Sequence, residues 1–94
     1  MKIHWTIPAQ KDLRIIESYI KQENPTAAIN VISQIIKKVK TLIDNPSIGK
    51  PGRFLGTREL IIHNLPYIIP YRVKNEIIEV LRVIHTSRKY PEKL

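Results

Sequence analysis

The sequence predicts an α+β domain with the element order β-α-α-β-β-β. A helical hairpin packs on one face of a small, mostly antiparallel four-stranded sheet. Three observations carry this prediction. Apolar residues in the first half recur at helical three- and four-residue steps. The second half holds segments rich in Ile, Val, Leu and Tyr, separated by short turns. A helical hairpin with one apolar face can bury it only against one face of such a sheet.

The elements follow in order. "KIHWTI" (2–7) carries Ile3, Trp5 and Ile7 on one side and suits a first strand. Pro8 then sits at the first helical position. Ala9, Leu13, Ile16 and Ile20 define one helix face, with Lys11, Asp12, Arg14 and Glu17 elsewhere. "ENP" stops this helix and starts another, Asn24 capping it and Pro25 opening it. The second helix carries Ala28, Ile32, Ile35, Val39 and Leu42 on one stripe. Ile29, Ile36 and Ile43 form a flanking stripe that widens the apolar face. "DNPSIGKPGR" (44–53) ends it with turn residues.

Three strands follow, at 57–63, 67–74 and 77–84, joined by "NLP" and "NE" into a meander. Pro70 cannot donate to a ladder, so it predicts a bulge or an edge. The whole chain, 1–94, reads as one domain.

Composition narrows the function. The chain is 43% hydrophobic and 26% charged, the balance of an ordinary globular protein. It has no cysteine, which excludes disulfides, thiolate catalysis and cysteine zinc sites, and fits a cytoplasmic location. Its start does not resemble a signal peptide, and no apolar run approaches the roughly 20 residues of a membrane span. The net charge is +8, with +3 in residues 1–46 and +5 in residues 47–94. Such a basic domain predicts an anionic partner: nucleic acid, ribosome, membrane surface or acidic protein.

Chemistry-bearing residues concentrate in the second half. Lys50, Arg53 and Arg58 flank the turn into the second strand; Arg72 and Arg82 lie in the third and fourth; Arg88 and Lys89 follow. A two-residue loop at Asn75–Glu76 would put Arg72 opposite Glu79, whereas a three-residue loop would bring Arg72 and Arg82 to one face. Each of these two arginines fits either an internal ion pair with Glu59, Glu76 or Glu79 or a phosphate-binding sheet face. His85 is the best candidate for proton transfer, with an ordinary pKa of ~6.5. A strand-end histidine bonding a backbone carbonyl looks the same in sequence. Tyr90 fits base stacking, proton donation or pinning of the C-terminus. His4 and His63 read as lone strand histidines. No metal-ligand spacing and no glycine-rich phosphate loop occur, so neither metal nor cofactor is expected.

Taken in order, several motifs resemble the RelE/ParE family of bacterial toxins. They are A-x-x-D-L-x-x-I-x-x-Y-I (9–20), NP-x-A-A (24–28), G-x-P-G-R (49–53), G-T-R-E-L (56–60), P-Y-I-I-x-Y-R-V (66–73) and V-I-H-T-S-R-K-Y-P (83–91). The resemblance spans nearly the whole chain. It implies the toxin half of a type II toxin–antitoxin pair. It also implies a RelB- or ParD-like antitoxin whose C-terminal segment wraps the toxin and neutralises its basic surface.

The family contains two mechanisms. RelE-like members cleave mRNA in the ribosomal A site without metal. On that reading Arg58, Arg82, His85 and Tyr90 match the catalytic positions, and Lys50, Arg53, Arg72, Arg88 and Lys89 match the RNA- and phosphate-binding ones. Concentrated positive charge would stabilise the charge that develops at phosphorus. ParE-like members inhibit DNA gyrase without nuclease activity. "GTREL", "PYII-x-YRV", H-x-x-R-x-Y-P and the long second helix resemble the ParE side, and the lysine-rich loop of RelE-type cleavage is reduced to Lys50. The His–Arg–Tyr cluster and the sheet arginines tip the reading slightly to mRNA cleavage, with gyrase inhibition as the alternative. Both readings expect guanidinium groups gathered on one open flank of the sheet.

Overall fold

A computed structural model describes residues 1–94. Its elements are β1 (Lys2–Trp5), α1 (Ile7–Lys21), α2 (Pro25–Lys40) with a 3₁₀ turn at Thr41–Ile43, β2 (Lys50–Pro51), β3 (Arg58–Ile61), β4 (Tyr67–Lys74), β5 (Ile77–Val80) and β6 (Ile84–His85). The sheet order is β1-β5-β4-β3-β2, and β6 also pairs with β4. β1 runs parallel to β5; every other pairing is antiparallel.

The α+β class and the two-helices-on-a-sheet architecture match the sequence prediction. The strand count does not: there are six strands, because a two-residue β2 precedes the meander and its last strand is broken. Tyr71 pairs with Val80 and Ile68 with Ile84, so three residues (81–83) face two (69–70). The extra residue is a bulge opposite Pro70, which lacks the N–H that would continue the ladder. The Pro70 carbonyl still accepts from the Leu81 N–H at 2.9 Å. The Val83 N–H leaves the sheet and donates to Asp12 Oδ2 at 2.9 Å.

The helices start where their caps dictate. Thr6 caps α1, its Oγ1 accepting from the Ala9 N–H. The same hydroxyl donates to the carbonyls of Val80 and Leu81, which fixes the start of α1 to the end of β5. Pro8 is the second helical residue rather than the first, since α1 begins at Ile7. Asn24 caps α2, its side chain accepting from the Ala27 N–H at 3.0 Å, and Pro25 opens it.

Ala9, Ile35, Val39 and Leu42 from the helices meet Leu60, Tyr67, Ile69, Tyr71, Ile78 and Val80 from the sheet in one core. The flanking stripe of α2 contributes little: Ile29 and Ile43 are exposed. Asn75 and Glu76 both have positive φ, so β4 and β5 are joined by a two-residue turn of type I′ geometry. No helix is long and apolar enough to cross a membrane.

Candidate functional site

The two-residue turn decides the fate of Arg72. It puts Arg72 opposite Glu79, and the Arg72 Nε donates to Glu79 Oε1 at 2.6 Å. This pair lies on the sheet face away from the helices. Lys2, His4, Lys74 and Ile77 join it around a shallow depression of about 420 Å³.

Arg82 lies at the bulge, by the helices. Its Nε and Nη2 donate to the two carboxylate oxygens of Asp12 at 2.7 and 3.1 Å. The partner is Asp12, not one of the strand glutamates that the sequence offers. Asp12 follows Ala9 by three residues and precedes Ile16 by four, so it shares the inward helix face and does not lie elsewhere as its polarity suggests. The Asp12 hydrogen bonds raise the guanidinium pKa still further above its ordinary value, against a smaller opposing effect of burial.

Arg82, His85, Arg88 and Lys89 border one groove of about 600 Å³ between α1 and the C-terminal segment. Ile15 and Tyr19 of α1 form its exposed apolar flank. The His85 ring stands edge-on to Tyr67 with centroids 5.3 Å apart. Its Nδ1 accepts the Ser87 N–H at 3.1 Å and lies 2.7 Å from Ser87 Oγ, which places the ring proton of the neutral form on Nε2. His85 is therefore oriented by its own turn rather than by a carbonyl. Burial raises the Tyr67 pKa, and the Arg88 charge partly offsets this.

Arg53 and Tyr90 belong to a second cluster. The Arg53 guanidinium lies 4.1 Å over the Tyr90 ring, and Phe54 stacks on that ring with centroids 5.9 Å apart. Glu59 lies in the same cluster at 2% exposure, its Oε2 accepting the Arg53 N–H at 3.0 Å. The alternation of β3 marks Glu59 as outward, but residues distant in sequence bury it. The Tyr90 hydroxyl is buried without a hydrogen-bond partner. Burial first, and then the nearby Glu59 carboxylate, push its pKa up to about 12, against the lowering effect of Arg53. Tyr90 thus pins the C-terminal segment to the sheet.

Arg58 serves the turn before β2: its Nη1 donates to the Gly49 carbonyl at 2.8 Å and lies 3.4 Å from that of Ser47. Gly49 is clamped further, its N–H donating to the Tyr71 hydroxyl at 2.9 Å while that hydroxyl donates to the Pro46 carbonyl at 2.7 Å. Burial raises the Tyr71 pKa, against smaller lowering effects of the Gly49 hydrogen bond and the Arg58 charge. Lys50 is exposed in β2.

The expected single flank of guanidinium groups is therefore corrected. Arg72 and Arg82 lie on opposite faces, each held by a carboxylate, because the turn at 75–76 and the bulge at 81–83 set their directions. No three His, Asp or Glu side chains gather as a metal-binding group.

A sequence profile described as the ParE toxin of type II toxin–antitoxin system, parDE, matches residues 3–90. The chain is 40% identical to Y4kP, a protein of Sinorhizobium fredii assigned to the toxins, over 99% of this chain and 96% of that one. It is 31% identical to toxin RelE2 of Caulobacter vibrioides over 93% and 97%. The structure superposes on a chain of the chromosomal ParDE system of P. aeruginosa with a TM-score of 0.84 and 30% identity, covering 93% of this chain and 97% of that one. It shares the fold of the intact E. coli RelBE complex with a TM-score of 0.68 at 20% identity, covering 93% and 98%. A profile and relatives that extend along nearly the whole chain establish that it belongs to the RelE/ParE family of toxins of type II toxin–antitoxin systems.

Proposed function

We propose that the chain inhibits growth by binding its target, as a ParE-like inhibitor of DNA gyrase, and that a cognate antitoxin neutralises it. One observation carries this reading. The guanidinium groups that phosphoryl chemistry would need free are engaged within the fold: Arg82 by Asp12 and Arg72 by Glu79. Tyr90 supports it as well, because a buried phenol with a pKa near 12 is a poor proton donor at neutral pH. The groove beside α1 supports the antitoxin partner, since its apolar residues with Arg88 and Lys89 at the rim suit an acidic amphipathic segment.

Ribosome-dependent mRNA cleavage is the second reading. His85 favours it, with Nδ1 occupied by its own turn and Nε2 left to face a ligand, in the groove shared with Arg88 and Lys89. The test is a supercoiling assay with purified chain, run beside a translating-ribosome assay. Inhibition of gyrase that survives H85A supports the proposal. Message cut in the A site and protected by H85A overturns it.

A further inference from the structure

We propose that Leu55 is an apolar anchor, displayed on a pre-ordered loop, that the toxin inserts into an apolar pocket rimmed by carboxylates on its protein target. The proposal rests on the reading that toxicity comes from binding. Leu55 is the most exposed large hydrophobic residue of the chain, at 104%. A single exposed leucine on mobile chain is ordinary. This one sits at the apex of a loop tied at each side.

Gly52 N–H donates to the Thr57 carbonyl at 2.8 Å. The Thr57 N–H and hydroxyl both donate to the Phe54 carbonyl, at 3.1 and 2.6 Å. A side chain at Gly52 would come within 2.3 Å of Thr57 Oγ1, so the two limbs of the loop touch. Gly56, with φ of +78°, makes the return that only glycine adopts freely. On the near limb Phe54 and Arg53 are both fixed on Tyr90, and the Arg53 N–H is fixed on Glu59.

The loop is thus held on both sides of Leu55, at Phe54 and at Thr57, while Leu55 itself is fully exposed. Because the loop is already ordered, little entropy is lost on docking, and the gain from taking the leucine out of water is kept. The exposed Arg53 stands two residues before the apex, its guanidinium over the Tyr90 ring. A guanidinium fork there selects a carboxylate, which gives the partner's rim its charge.

The experiment compares wild type, L55S and L55M in growth arrest on induction, in inhibition of supercoiling and in thermal midpoint. L55S is expected to keep the wild-type midpoint and to lose inhibitory potency by about thirtyfold, the scale of a truncated hot-spot residue. L55M, which restores apolar length, is expected to retain most of the potency. Undiminished arrest by L55S overturns the proposal, as does loss of potency in both variants together with a lowered midpoint. An effect of L55S confined to salt-sensitive binding of DNA or RNA also overturns it, since the partner is then a nucleic acid. Should L55S lose arrest while wild type leaves supercoiling untouched, the anchor stands and the gyrase target falls.

Discussion

Asp12 and Arg82, seventy residues apart, form a two-pronged ion pair, and the same carboxylate caps the Val83 N–H that the bulge frees. One side chain thus supports both a charge and a break in the sheet. Removing it leaves a partly buried guanidinium and an unpaired amide. D12A is expected to destabilise the fold by about 2–3 kcal/mol, below the value for a fully buried pair because Arg82 is partly solvated. R82A should cost less, since Asp12 keeps the Val83 N–H. Urea midpoints at unchanged m-value check both, and a double-mutant cycle isolates the pair.

Tyr90 predicts how stability changes in alkali. Its pKa is about 12 in the fold and ~10 in an unfolded chain. Between those values the folded state binds more protons than the unfolded one. The contribution is therefore present below pH ~10 and is lost as pH rises towards 12. Y90F should flatten this alkaline decline, because it removes the group that titrates. Thermal midpoints measured from pH 8 to 12 test it. If the toxin acts by binding, Y90F also keeps its toxicity.

Gly49 is a packing position. A methyl group there would lie 2.7 Å from both the Tyr71 hydroxyl and ring and 3.0 Å from the Glu59 carbonyl. G49A is expected to destabilise by about 1–3 kcal/mol, as overpacking does. A drop in denaturation midpoint, with the near-ultraviolet signal of Tyr71 altered, would confirm it.

Glu76 predicts a gain. It occupies the second position of the turn with φ of 61°, where glycine is unstrained. E76G is expected to stabilise by about 0.5–1 kcal/mol, the relief of strain exceeding the added freedom of the unfolded chain. The urea midpoint should rise while the Arg72–Glu79 register stays unchanged.

Much of the fold was legible in the sequence because its signals are local. The cap at Asn24, the stripe through Ile35 and Val39, and the irregularity at Pro70 each follow from neighbours within a few residues. The candidate site was less so. Arg72 needed the turn length, which Asn75 and Glu76 leave open. Asp12 sits on the inward face by spacing, a signal its charge conceals. Glu59 and Tyr90 meet only through the tertiary fold, and Leu55 stands out only once its loop is seen to be fixed.

The parallel pairing of β1 with β5 sets an order of events. Lys2–Trp5 find their partners at Ile77–Val80, and Thr6 bonds residues 74 and 75 positions later. During synthesis the first strand has nothing to pair with until residues 77–80 have left the ribosome tunnel. The helical hairpin can form early, but this sheet edge closes later, because its pairing is long-range. Until that edge closes the nascent chain lacks its finished sheet, an interval in which a partner can reach it before the folded surface exists.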